Sequence, residues 1–175
     1  GIVPTGRTRV PELVSTAWTI DAFQFDIPVL GAPMDSVMSP ATAIELGRLG
    51  GLGVLNLEGL WTRHENPEPL LEELASITDE VAAVKRMREL YAAPIQSELI
   101  RARLGEIRDA GVTVAGALSP HRTAEFTDTV VGAGVDLFVI RGNTVSAEHV
   151  AQEGREPLNL KQFIYELDVP VIVGG

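Results

Sequence analysis

The chain has 175 residues, 45% of them hydrophobic, which is enough to bury the core of one globular domain. Its net charge of −10 argues against nucleic-acid binding, and the lack of cysteine excludes disulfides, thiolate metal sites and a cysteine nucleophile within these residues. No apolar run reaches about 18 residues and no apolar leader follows a basic start, so we expect no membrane span, no signal peptide and a cytoplasmic location.

The first half of the chain predicts two strands with a helix between them. After a lead-in with a short predicted strand near 14–19, an apolar strand is expected over 27–31. Ser39-Pro40 predicts a helix start, because serine caps free amides and proline suits the first helical position. Gly50-Gly51 ends this helix, and a second strand follows over 52–56.

The remainder predicts a long helical stretch and then a regular alternation of strands and helices. Three helices are expected in 57–111, starting near Asn66-Pro67, after Thr78 and after Pro94. Strands follow over 112–118, 135–140 and 169–173. The intervening helices are predicted from Ser119-Pro120, over 145–152 and from Asn159.

These strands are apolar throughout, which is typical of a parallel sheet that helices cover on both faces. A doubly wound open sheet and a (β/α)8 TIM barrel both fit that pattern. A complete barrel takes about 250 residues, and five clear β/α units are present. We therefore expect a single domain over 1–175 that forms the N-terminal part of a barrel, with a helical insertion at about 57–111.

The predicted strands end in short polar or glycine-rich loops, which in a barrel line one site. These loops fall at 31–36, 56–58, 119–121, 141–144 and 174–175. Glycine at such points lets a ligand approach the backbone, and the free amides at a helix start favour an anion such as phosphate. Such glycines also serve simply to make tight turns, so both interpretations stay open.

Four side chains in these loops have a functional interpretation beside a structural one. Met34 is a flexible apolar surface for a flat aromatic ligand, or a filler of the core. Asp35 and Ser36 contact polar groups of a ligand, or close a local turn. His121 directly follows a strand and is the histidine best placed for function. No histidine and carboxylate set has metal-ligand spacing, and no G-x-G-x-x-G motif follows a strand.

Several motifs together resemble the IMP dehydrogenase / GMP reductase family. Residues 27–37 read IPVLGAPMDSV, residues 50–54 read GGLGV and residues 169–175 read VPVIVGG. The likeness covers nearly the whole chain apart from about 57–111. The most similar branch is that of the IMP-dehydrogenase-related proteins, which lack the regulatory CBS pair. The predicted helices of 57–111 stand where other relatives carry their CBS domains.

The resemblance implies a (β/α)8 barrel, usually a homotetramer, that binds a purine nucleotide and NAD or NADP. The family chemistry uses a loop cysteine that attacks purine C2, while hydride passes to or from the nicotinamide. By this likeness, the substrate-binding residues are Gly31, Met34, Asp35, Ser36, Gly174 and Gly175. The cofactor-binding residues are Arg141, Gly142 and Asn143. The cysteine loop, a monovalent-cation site and phosphate-binding glycines are expected beyond residue 175.

Two positions depart from the family pattern. Arg141 stands where the family has an aspartate that faces the cofactor, and Asn56 stands where a histidine is common. The charge reversal beside the nicotinamide site makes a non-catalytic nucleotide-binding barrel one alternative. Another is an FMN-dependent nitronate monooxygenase, whose family also shows Ala-Pro-Met after the first strand and Gly-Gly-Leu-Gly at the second.

Overall fold

A computed structural model describes residues 14–142 and 160–174, together with the single positions 6, 10 and 12. The predicted helix over 145–152 and the predicted site residues Asn143 and Gly175 lie outside the described residues. The elements in chain order are β1 (Trp18–Ile20), β2 (Phe23–Phe25), β3 (Leu30–Gly31), α1 (Pro40–Arg48), β4 (Leu52–Asn56), a 3-10 helix (Leu60–Thr62), α2 (Glu68–Ser76), α3 (Glu80–Tyr91), α4 (Ser97–Asp109), β5 (Ala115–Leu118), α5 (Pro120–Gly132), β6 (Leu137–Arg141), α6 (Leu160–Glu166) and β7 (Val171–Gly174).

Strands β3 to β7 form one parallel sheet in which the spatial order follows the chain order. In a doubly wound sheet the order of the strands reverses beside the first strand. No such reversal occurs among these five strands. The sheet curls into half of a barrel, which confirms the predicted partial (β/α)8 barrel. β1 and β2 form a separate antiparallel hairpin. The sequence predicted a single strand there, because the turn at Asp21 (φ 50°) carries neither glycine nor proline.

Side chains of the sheet alternate between two apolar clusters. Leu52 and Val54 of β4 face the inner cluster, which also holds Ala115, Ala117, Leu137 and Val139 and is closed by Phe25 of the hairpin. Leu55 points the other way, into a cluster that the helices cover. The three central strands β4, β5 and β6 are therefore buried on both faces, as the continuous apolar runs predicted, whereas β3 and β7 at the sides of the sheet are partly exposed.

Helix α1 begins and ends where the sequence predicted. The Ser39 hydroxyl accepts a hydrogen bond from the Thr42 amide at 3.0 Å, and Gly50 adopts the left-handed backbone (φ 83°) that closes many helices. The strand before α1 is shorter than predicted and covers only Leu30–Gly31. The amides of Asp26 and Ile27 both donate to the Gly50 carbonyl, so the chain turns there instead of extending.

The segment between β4 and β5 is helical, and its three helices have different roles. α4 packs in the layer that covers the sheet, between α1 and α5, and is the ordinary crossover helix. α2 and α3 form an additional hairpin, held by a bidentate bond from Arg86 to Glu73. Asp79 caps α3 by accepting from the Ala82 amide at 2.7 Å, in place of the predicted Thr78. No helix within the described ranges is long and apolar enough to cross a membrane.

Candidate functional site at the carboxyl ends of the strands

The carboxyl ends of the five parallel strands meet at one edge of the sheet. Arg141 at the end of β6 is in register with Gly174 of β7, and Asn56 at the end of β4 is in register with Ala117 of β5. The loop that carries Met34 leaves β3 at the same edge. The predicted site residues of the first, second, fourth and fifth parallel strands are therefore on one side of the molecule.

Asp35 is the buried centre of this edge, with only 9% of its surface exposed. Its Oδ2 accepts from the Leu60 amide at 2.7 Å and from the Tyr91 hydroxyl, and its Oδ1 accepts from Asn56 Nδ2 at 3.2 Å. Leu60 begins the 3-10 helix, whose first amides have no partner within the helix itself. The carboxylate therefore caps that helix and also joins the loop after β3 to β4 and α3.

A glycine makes this approach of Asp35 possible. A Cβ built on Gly59 would lie 1.8 Å from Asp35 Oδ1, far inside any normal contact. The backbone of Gly59 is extended (φ −87°, ψ −168°), so the requirement for glycine comes from the carboxylate and not from the dihedral angles.

Tyr91 closes the network from the end of α3. Burial raises the pKa of its phenol, and the hydrogen bond to Asp35 raises it further, so the hydroxyl stays protonated and donates. The Arg63 side chain donates to the Tyr91 carbonyl at 2.9 Å and to the Glu58 carbonyl at 2.8 Å. Burial lowers the pKa of Arg63, with a contribution from the charge of Arg122. These bonds fix the end of α3 against the loop that follows β4.

Asn56 connects the buried carboxylate to Arg141. Its Oδ1 accepts from Arg141 Nη2 at 3.2 Å and from the Glu58 amide at 3.1 Å, while its Nδ2 donates to Asp35. Because the oxygen faces two donors and the nitrogen faces a carboxylate, only one orientation of the amide fits. The two residues that depart from the family pattern, Asn56 and Arg141, are thus in direct contact.

The predicted substrate-binding residues have different exposures. Met34 is 50% exposed and Ser36 is also exposed, whereas Asp35 between them is buried. A Cβ on Gly31 would meet the Met38 side chain and Leu46 of α1, so that position faces the helix layer. Gly174 lies exposed at the end of β7. Of the three side chains predicted to bind substrate from this loop, Met34 and Ser36 are therefore the two that a ligand can reach.

His121 lies exposed in the first turn of α5, and the carboxylate of Glu58 accepts from the Ser119 amide where that helix begins. No group of three or more metal-ligating side chains occurs in the described part of the chain. Sequence reasoning missed Tyr91, Arg63 and Gly59 as parts of this edge. Tyr91 falls within the helix that is predicted after Thr78, and nothing in the local sequence marks Arg63 or Gly59 as part of a site.

The fold places the chain in the class of parallel (β/α) barrels, of which it forms half. The model of the "IMP dehydrogenase / GMP reductase domain" matches residues 2–174. The chain therefore belongs to the IMP dehydrogenase / GMP reductase family, as the motifs predicted.

Relatives and a solved structure agree with this assignment. The chain is 52% identical to an uncharacterised oxidoreductase of Mycobacterium tuberculosis and 50% identical to one of Mycolicibacterium smegmatis, each time over 99% of this chain and 47% of the relative. The crystal structure of an IMP dehydrogenase/GMP reductase-like protein from Corynebacterium glutamicum superposes with a TM-score of 0.89 at 44% identity, covering 99% of this chain and 46% of that one. The chain thus spans about half the length of the relatives it matches.

Proposed function

We propose that the complete natural protein is an oxidoreductase of purine nucleotide metabolism that binds IMP or GMP at the carboxyl ends of the barrel strands. Family membership supports the oxidoreductase activity, and both that activity and the nucleotide belong to the proposal. In this proposal the purine ring lies against Met34. A homo-oligomer, expected from the resemblance, is part of the same proposal.

One observation carries this proposal: the loop after β3 is rigidly held, yet it leaves Met34 half exposed. Three donors fix the carboxylate of Asp35, so its two neighbours cannot fold back into the core. A methionine side chain in such a position offers a flat, polarisable apolar surface, which suits an aromatic ring. The adjacent Ser36 adds a hydroxyl that can donate to or accept from polar groups of the ring or ribose.

The residues at this edge fit the phosphate-bearing part of NAD or NADP. Arg141 supplies a guanidinium beside the glycine-containing ends of β6 and β7, and guanidinium groups match phosphate oxygens. Such a dinucleotide, when bound, supplies the acceptor or donor of hydride. The chain contains no cysteine, so its own residues bind and orient ligands and contribute no thiol nucleophile.

The test uses the complete natural protein, incubated with IMP plus NAD or with GMP plus NADPH, while the absorbance of the reduced nicotinamide is followed. Thermal unfolding with each nucleotide measures binding separately from turnover. Met34→Ala is expected to weaken nucleotide binding several-fold, because it removes the apolar contact while leaving the buried network intact. Met87→Ala is the matched control, since Met87 is similarly exposed (43%) but lies on α3.

The outcomes separate the candidate functions. Stabilisation by IMP or GMP that depends on Met34, together with turnover, supports the proposal. Binding without turnover supports a non-catalytic nucleotide-binding barrel. A folded protein that shows no thermal shift with either nucleotide contradicts the proposal, and a yellow protein with a flavin absorbance band supports the nitronate monooxygenase alternative.

A further inference from the structure

We propose that Arg141 forms an oxyanion subsite at the strand edge, which takes a phosphate or carboxylate group of the ligand that binds beside the nucleotide. The inference rests on the proposed function, because it assigns a residue to the second ligand of the same site. It deepens that function by naming the residue that binds the anionic group of the second ligand and by testing whether that group is a phosphate or a carboxylate.

Arg141 is half-buried and makes no direct ion pair with any of the described residues. No carboxylate oxygen within 14–142 and 160–174 lies within 4.0 Å of its nitrogens. Its one hydrogen bond there joins Nη2 to the neutral Oδ1 of Asn56 at 3.2 Å. A guanidinium carries five N–H donors, so most of them remain available to a ligand. A positive charge removed partly from water and left without a partner favours an incoming anion.

The carboxylates of the network make no direct contact with Arg141, because their oxygens accept hydrogen bonds from other groups. Asp35 accepts from Leu60, Tyr91 and Asn56, and Glu58 accepts from the Ser119 amide. Asn56 stands between the two charges, with its NH2 group toward the carboxylate of Asp35 and its oxygen toward Arg141. The amide therefore holds the guanidinium in place while keeping it apart from the buried acid.

The described residues of β5 and β7 beside Arg141 are small. Arg141 has the same orientation as the inward-facing Val139, two positions before it on β6. To reach Asn56 its side chain crosses β5, where the inward-facing residue in register with Asn56 is Ala117. On the other side its register partner is Gly174, which has no side chain. No bulky group of β5 or β7 therefore covers the guanidinium from the inner face.

The other described arginines are either engaged within the fold or, like Arg88 and Arg101, exposed to solvent. Arg63, Arg103 and Arg108 each donate to backbone carbonyl groups and so join loops to helices. Arg48 and Arg122 each pair with a glutamate one helical turn away. Arg141 instead points a largely unsatisfied guanidinium at the edge where a ligand is expected, in a chain whose net charge is −10. This contrast indicates that Arg141 binds a ligand, whereas the arginines engaged within the fold stabilise it.

The test titrates the complete natural protein with inorganic pyrophosphate, and separately with succinate, at constant ionic strength and with IMP present. Calorimetry measures the dissociation constants of the wild type and three variants. Arg141→Gln is expected to weaken binding of the preferred anion by at least about tenfold, and Arg141→Lys by less, since lysine keeps the charge but not the planar fork. Arg108→Gln is the matched control, because it removes one positive charge near Ala133, at the opposite end of β6.

Preference for pyrophosphate identifies a phosphate as the bound group, and preference for succinate identifies a carboxylate; both support the subsite if they depend on Arg141. Equal binding by wild type and Arg141→Gln, or an equal loss in Arg108→Gln, overturns the subsite.

Thermal stabilisation by IMP, measured on the same proteins, tests the proposed function by itself. A normal IMP response with Arg141-independent anion binding refutes the subsite alone. An Arg141-dependent anion response without any IMP response refutes the proposed function alone.

Discussion

Replacing Gly59 by alanine tests whether the buried carboxylate of Asp35 organises the strand edge. The added Cβ would lie 1.8 Å from Asp35 Oδ1, although Cβ contacts under 3.0 Å essentially never occur. One of the two groups must therefore move by more than about 1 Å. Since the Leu60 amide and Asn56 bind the carboxylate at 2.7 and 3.2 Å, such a shift breaks at least one of these hydrogen bonds.

The expected cost follows from these contacts. A hydrogen bond to a charged group contributes about 1.5–3 kcal/mol, and overpacking a buried site adds about 1–3 kcal/mol. Gly59→Ala is therefore expected to lower the free energy of unfolding by about 3–5 kcal/mol, measured by urea denaturation of the complete protein. Gly132→Ala is the control, because a Cβ there meets no atom within 4 Å and alanine favours the end of α5 by up to about 1 kcal/mol.

A double-mutant cycle separates this mechanism from a general effect of alanine. In an Asp35→Ala background the clash with the carboxylate is absent, so the second substitution at Gly59 is expected to cost about 1 kcal/mol or less. Strict additivity of the two free-energy changes, or a Gly59→Ala protein as stable as wild type, would refute the reasoning.

Two further predictions concern the support of the same edge, and a third concerns the packing of α1 on β4. Tyr91→Phe removes one donor to Asp35 and is expected to lower the free energy of unfolding by about 1–2 kcal/mol, measured with urea. Because the pKa of Tyr91 is raised in the folded state, its contribution is present below the ordinary tyrosine pKa of about 10 and is lost as the pH rises above it. Wild type should therefore lose stability more steeply than Tyr91→Phe in unfolding curves recorded above that pH; parallel curves would contradict this. Gly53→Ala places a Cβ 2.5 Å from Ala43 Cα, so it should cost about 2–3 kcal/mol in the same assay, and an unchanged midpoint would show that α1 can move away.

The architecture could be predicted from the sequence because its signals are local. Apolar runs predict the strands, and Ser39-Pro40 together with Gly50 predicts where α1 begins and ends. The half-barrel then followed from the repeated order of strand and helix. The extent of β3 could not be predicted in this way, because the amides of Asp26 and Ile27 turn toward Gly50, more than twenty positions away.

The candidate site was predictable only as a set of loops. Strand ends are visible in the sequence, and Met34, Asp35 and Arg141 were named from them. The partners of Asp35 lie 21, 25 and 56 positions further along the chain, and no local pattern joins residues at such distances. The same is true of Asn56 and Arg141, which are 85 positions apart. The contact between these two became visible only when β4, β5 and β6 were placed side by side.

The network around Asp35 connects the α2–α3 hairpin to the strand edge. Its own helices bury little, and the ion pair between Glu73 and Arg86 that joins them is exposed. The end of α3 is different, because Arg63 donates to the Tyr91 carbonyl while the Tyr91 hydroxyl donates to Asp35. Any displacement of α3 that withdraws Tyr91 removes a donor from the carboxylate that positions Met34. The hairpin is therefore coupled to the loop that we expect to hold the purine ring, through one hydroxyl group.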